Sequence, residues 1–256
     1  MERTKCYNAL REQFLSLMYD ELMPGILHNF ANPLNGIMGR AKLLQRRLDD
    51  HVRKIREHYP DVAFGLKEDY EKLQKDVNSI NLESDKFSDI FWDVARKFQG
   101  IAEERPEKLN LSQLLIAEMR FTDFFLGFKH EVKKQLAFQE DIPEVTGSLA
   151  DFSLSFFALI RQAMTAMETS PVKEFHISTV SDDQMVQVRL RDTGLPFSEE
   201  SIHFINNLNM DGDVTLPPSV PDGLFHACLL LQHHGARIHL SRDSSLNELT
   251  VAIPYR

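Results

Sequence analysis

The sequence predicts an α part followed by an α+β part: a long antiparallel helical hairpin, then a two-layer sandwich of helices and antiparallel strands. Three observations carry this. Over the first hundred residues apolar side chains recur at steps of four and three, the spacing of one helix face. At Arg105-Pro106-Glu107-Lys108 that rhythm stops, at a proline that cannot continue a helix. Beyond it, short alternating segments that suit half-covered strands are interleaved with short apolar helices. The boundary divides the chain into 1–105 and 106–256.

The first helix is expected from Thr4 to His58. Leu10, Phe14, Leu17, Ile26, Phe30, Leu34, Ile37, Ala41, Leu44, Leu48, Val52 and Ile55 follow one stripe, loosest near Leu22. Pro24-Gly25 and Pro33 interrupt it, and a proline inside a helix removes a hydrogen bond and bends the axis. Tyr59-Pro60-Asp61, with Gly65 nearby, reads as a turn. A second helix is expected over 67–104, its stripe running Leu73, Val77, Ile80, Ser84, Phe87, Phe91, Val94, Phe98, Ile101 as a heptad. One hairpin covers only one side of each helix. Pairing of two chains into a dimeric four-helix bundle covers the rest, and a hairpin packed on the second half is the alternative.

Within the first helix His28 lies about 200° around the axis from Phe30, so it is expected to face water. Asn32 lies one turn further on, on the same face. A lone histidine on a helix surface is usually just solvated. With an amide one turn below it, on a bundle helix, it could also carry a phosphoryl group.

In the second part Leu109-Asn110-Leu111 reads as a short strand, followed by a helix capped by Ser112. Residues 131–138 alternate as a strand, and Asp151 opens an apolar helix over 152–167. A β-hairpin is expected over 174–180 and 184–191 around Ser181-Asp182-Asp183. A short helix over 199–208, a proline-rich loop, a helix over 224–234 and a strand pair at 236–241 and 248–253 complete the part. Phe121-Thr122-Asp123-Phe124-Phe125-Leu126 is expected in the core. Gln232-His233-His234-Gly235 reads as a helix end with Gly235 as its cap rather than as metal ligands.

The net charge of −9 argues against non-specific nucleic-acid binding, which needs a basic surface. The two cysteines, Cys6 and Cys228, form no metal spacing and no disulfide framework, so a reducing, cytoplasmic setting is expected. Residues Met1 to Lys5 lead into mixed polar sequence, and no run approaches a membrane span.

Four stretches, in order, give the chain a family resemblance. His28-Asn29-Phe30-Ala31-Asn32-Pro33-Leu34 resembles the H-box of two-component sensor histidine kinases, H-E-x-x-N-P-L. Phe157 to Ala166 stands where the N-box belongs. Arg191-Asp192-Thr193-Gly194-Leu195-Pro196-Phe197 resembles the G1 box, D-x-G-x-G. Asp222-Gly223-Leu224-Phe225-His226 with the helix and strand after it resembles the G2 box. The resemblance covers nearly the whole chain. It implies a dimerisation and phosphoacceptor hairpin followed by an ATPase-like sandwich of the Bergerat type.

The departures bear on chemistry. The resemblance assigns the residue after the histidine as an acidic general base, a role usually worth about 10²- to 10⁴-fold, and Asn29 has no proton-accepting group at neutral pH. The N-box asparagine that holds Mg²⁺ is replaced by Gln162, one methylene longer, and a second N-box asparagine by Ala158. Asp192, which the resemblance assigns to the adenine amino group, and Gly194 are retained, but Pro196 stands for the second glycine. In the phosphate-cradling G2 stretch only Gly223-Leu224 survives, with bulky Phe225-His226 next and acidic Asp211-Gly212-Asp213 before it. The expected cofactor-binding set is thus Gln162, Asp192, Gly194 and Gly223, as a degenerate ATP site.

The phosphoacceptor side is better kept. An unperturbed imidazole has a pKa of about 6.5, so His28 offers a neutral nucleophilic nitrogen at pH 7. Asn32 stands where phosphatase-active relatives orient water, and Asn29 and Asn35 could add hydrogen bonds. The combination resembles histidine phosphotransferases with degenerate ATP domains. The expectation is a homodimer exchanging phosphoryl groups between His28 and response-regulator receiver aspartates, with no cofactor or metal of its own. The alternatives are an active kinase using Mg-ATP and a non-catalytic partner that heterodimerises with another kinase.

Overall fold

The computed structural model describes residues 3–17, 22–57, 72–73, 75–80, 82–87, 89–90, 93–94, 97, 105–208, 216–243 and 246–255. By compactness the chain divides into two units, one comprising 1–22 and 96–256, the other 23–95. The first 22 residues therefore belong with the α/β part, whereas the change of sequence rhythm puts the boundary at 105/106.

The smaller unit is a helical hairpin. Helix α2 spans Met23–Glu57, and the described positions from 72 to 94 are helical and constitute α3. Pro24 sits in the first turn of α2, where a missing N–H costs nothing, and Pro33 lies in its interior. The two helices run antiparallel. Phe30 meets Phe87 edge-on with centroids 5.5 Å apart, and a Cβ on Gly36 would stand 3.1 Å from Glu83 Cγ. Further along, Arg47 pairs with Asp76, joined by Arg40 at 3.5 Å. Asp76 is 1% exposed, so these guanidinium groups neutralise a buried carboxylate and fix the register. The expected turn at 59–61 with Gly65, the stripe residues Phe91, Phe98 and Ile101, and the side chains of Leu27, His28, Ala31, Leu34, Leu48, Val52 and Ile55 lie outside the described part.

The larger unit opens with α1, Arg3–Leu17. The single helix expected over 4–58 is thus two, α1 ending at Leu17 and α2 starting at Met23. After α3 come β1 (Pro106–Leu109), α4 (Leu111–Thr122), α5 (Leu126–Glu131), β2 (Lys133–Phe138), β3 (Val145–Ser148) and α6 (Leu149–Met167). The chain finishes with β4 (Glu174–Ser181), β5 (Met185–Asp192), α7 (Glu199–Asn206), α8 (Asp222–His233), β6 (Arg237–Asp243) and β7 (Leu246–Pro254). A five-stranded sheet runs β2-β4-β5-β7-β6, and β1 pairs with β3. The sheet is mixed, because β2 lies parallel to β4, whereas the sequence predicts antiparallel strands throughout. Pairing between strands separated by a helix leaves no local signal.

Alternation gives the sheet one covered face. Phe175, Ile177, Val186, Val188, Leu190, Leu249, Val251 and Ile253 point inward. The helix expected to be capped by Ser112 is instead capped by Asn110, whose side chain accepts from the Gln113 N–H. Ser112 is buried and donates to the Gln139 carbonyl. Ser148 caps α6 in the same way, accepting from the Asp151 N–H. Phe121, Phe124 and Phe125 are core residues. Gly235 ends α8 with φ +76, the left-handed conformation that favours glycine.

Candidate functional site

The phosphoacceptor stretch lies on α2, with His28 helical in backbone and its side chain outside the described part. Asn32 and Asn35 are exposed. Asn29 is 9% exposed. Three residues before Asn32, it lies about 60° around the helix axis from that residue.

The α/β unit gathers the other candidate residues in two places. Asp192, at the end of β5, is 5% exposed. Its Oδ1 accepts from Asn247 Nδ2 at 2.9 Å and from the Gly194 N–H at 2.8 Å. Asn247 stands directly across the β5–β7 ladder from it and also donates to the Leu195 carbonyl at 3.0 Å. Burial pushes the Asp192 carboxyl above its ordinary value, against the pull of the Asn247 and Gly194 hydrogen bonds.

Gly194 is required by packing. A Cβ there would stand 2.5 Å from Ala166 Cβ and 2.6 Å from the Ala166 carbonyl carbon. The Leu195 N–H donates to the Ala166 carbonyl at 2.8 Å, so this loop lies directly on the last turn of α6.

Gln162 on α6 and Gly223 in the first turn of α8 do share a cavity, of about 130 Å³. Small-molecule sites usually measure about 300–1,000 Å³. Helix α1 forms one wall of the space: Leu10, Gln13, Phe14 and Leu17 line it, and the Gln13 carboxamide lies 2.8 Å from where a Gly223 Cβ would be. Asp192 and Gly194 are not part of its lining. The expected set is therefore split, and its carboxylate already has donors from its own chain. These residues, as packed, do not fit a seated Mg-nucleotide. Asp211-Gly212-Asp213 lies outside the described residues.

Sequence reasoning missed Asn247 and the role of α1. Asn247 had a signal: it precedes Leu249, Val251 and Ile253 by twos, which puts it on the covered face. His234, at the end of α8, serves structure. His234 Nε2 lies 2.7 Å from Asp151 Oδ2, which Arg3 also engages through Nε at 2.8 Å. Among the described residues no group of three or more His, Cys, Asp or Glu could hold a metal.

No protein-family model matches the chain, and no curated protein does. Solved structures similar to it include histidine kinases. The catalytic domain of histidine kinase ThkA matches at 16% identity and TM-score 0.48, over 59% of this chain and 98% of that one. Acinetobacter baumannii histidine kinase AdeS matches at 16% identity and TM-score 0.47, over 85% of this chain and 95% of that one. The mycobacterial sensor histidine kinase MprB matches at 10% identity and TM-score 0.45, over 60% and 99%.

Proposed function

We propose that this chain is a two-component phosphotransfer protein, carrying a phosphoryl group on His28 to or from receiver aspartates without productive use of ATP. What supports the absence of ATP use is internal occupancy: Asp192 is bonded to Asn247, and α1 takes up one wall of the small space between Gln162 and Gly223. In the transfer, the imidazole nitrogen lone pair forms the N–P bond as the P–O bond to the receiver's aspartate breaks. The carboxylate leaves with the electron pair. Asn32, exposed one turn below, orients water against the receiver's acyl phosphate in the hydrolytic reaction. Receiver domains bring their own Mg²⁺ and carboxylates.

The working unit of this reading is a homodimer in the cytoplasm. Support comes from exposed apolar side chains on the hairpin: Leu43 is 37% exposed, Val77 41% and Leu82 61%. Such side chains are covered when a second hairpin completes four helices. No described helix is long and apolar enough to cross a membrane.

The test is back-transfer. A receiver charged on its aspartate with labelled acetyl phosphate is mixed with wild type and with His28→Ala. Label should move to wild type alone. Equal labelling of the variant sinks the reading, and efficient labelling of wild type by γ-labelled Mg-ATP favours the active kinase instead.

A further inference from the structure

The five-stranded sheet treats its two edges differently. At one end of the strand order stands β6, at the other β2. An edge strand presents unpaired N–H and C=O groups that can take up a strand of another chain, so folded proteins commonly seal or blunt it. The β6 edge is sealed. Asn206, at the end of α7, donates from Nδ2 to the Leu240 carbonyl at 2.8 Å and accepts from the Leu240 N–H at 2.7 Å. Its side-chain amide stands in for the backbone of a sixth strand.

Among the described residues no strand lies on the outer side of β2. The Lys133 N–H donates to the Lys173 carbonyl at 2.9 Å, on the β4 side. Backbone groups alternate along a strand, so Lys134, Leu136 and Phe138 aim theirs at the open edge. The usual guards are missing. The strand has no proline, and its register with β4 runs without a bulge from Lys133 to Phe138. Its two lysines are turned onto their own chain. Lys133 pairs with Glu174 at 3.0 Å, while Lys134 pairs with Asp123 and lies 4.7 Å from the centroid of the Phe128 ring. Between them and Phe138, Leu136 is left 50% exposed.

The strand also complements itself. A second β2, turned about a two-fold axis at Leu136, runs antiparallel and sets Leu136 opposite Leu136, Lys134 opposite Phe138 and Gln135 opposite Ala137. The edge-directed residues then face one another, as a hydrogen-bonded ladder requires, and no like charges meet. An axis at Lys134 would instead oppose two ammonium groups. We propose that two copies of this chain pair through their β2 edges into one sheet continuous across both. The contact is short, so the association is weak and concentration-dependent. The inference stands apart from the His28 reading and from pairing of the hairpin, since it concerns the α/β unit alone.

The test is oxidative cross-linking of the full chain. Cys6 and Cys228 are buried and stay out of the reaction. In the proposed register two Leu136 Cα atoms stand about 5.5 Å apart, inside the range of about 4.4–6.8 Å that a disulfide spans. Leu136→Cys should therefore form covalent dimers at least about tenfold faster than Asp183→Cys, an exposed position in the β4–β5 turn that reports random encounter. A second variant, Leu136→Lys, sets like charges opposite each other and removes the apolar contact, at a position exposed enough to leave the fold intact. By sedimentation it should associate at least about tenfold more weakly than wild type, with an unchanged unfolding midpoint. Equal cross-linking rates at the two cysteine positions overturn the pairing and leave the edge to a strand of a different protein. Equal mass of wild type and Leu136→Lys at the same high concentration overturns it as well.

Discussion

Replacing Lys97 by methionine removes one half of the most deeply buried ion pair described in the α/β unit. The Lys97 ammonium donates to both Glu118 oxygens, at 2.8 and 2.7 Å, and to Ser153 Oγ at 2.7 Å. The two side chains are 4% and 2% exposed. Around the ammonium stand the rings of Phe157, Phe14 and Phe121, with centroids 4.9, 5.4 and 5.6 Å away. Burial pulls the Lys97 amine below its ordinary value, and Glu118 is the group that opposes this. Lys97→Met leaves Glu118 sealed among phenyl rings with Ser153 as its remaining hydroxyl donor. Stranding one member of a buried pair costs about 3–5 kcal/mol. For a unit of this size each kcal/mol lowers the melting temperature by about 2–4 °C, so a fall of about 10 °C is expected. Lys97→Met with Glu118→Leu should recover most of the loss, because the desolvation cost then disappears with both charges. Thermal melts followed by circular dichroism supply the measurement. A single variant within about 1 kcal/mol of wild type, or a double variant no better than the single, would refute the reasoning.

The other outcomes concern the two ends of the same unit. Gly194→Ala should lower the urea midpoint by the equivalent of about 2–3 kcal/mol, because the new methyl meets backbone as well as side chain of Ala166. An unchanged midpoint would return the glycine to a purely ligand-facing role. Asp151 is pulled up by burial, yet hydrogen bonds from His234 and Arg3 hold its carboxyl below the usual value of 3.8. A carboxyl depressed by folding adds stability above about pH 4 and forfeits it as pH falls through the lower, folded value. Asp151→Asn should therefore be weaker than wild type near neutrality and show a flatter decline of urea midpoint below about pH 4. Parallel declines for the two proteins would show that the Arg3 and His234 contacts do not favour the charged form.

Periodicity made some elements legible and left their partners unnamed. The alternation at 174–180 and 184–191 located β4 and β5 to within a residue or so, because one covered face imposes a period of two. The heptad steps around Phe30 and Phe87 located the hairpin, and those rings do touch. Leu10, Phe14 and Leu17 carry the same steps, so the sequence read them into the long hairpin helix. A stripe records that a face is covered, not by what, and α1 turns its stripe onto α6 and α8. The parallel neighbour of β4 was likewise hidden, since strand pairing across an intervening helix is a tertiary choice. At the candidate site, the retained Asp192 and Gly194 were visible as letters. That Asn247 would meet one and Ala166 the other depended on a cross-strand register and a helix end that no local pattern encodes.

The Asn247 amide has one more consequence. A carboxylate that, by resemblance, would await the exocyclic amine of a purine finds an –NH₂ of its own chain instead. The α/β unit then needs no guest to complete its interior. On the proposed reading, its melting point should be indifferent to the size of a cell's adenylate pool, and whatever signal passes through the protein would be uncoupled from energy charge.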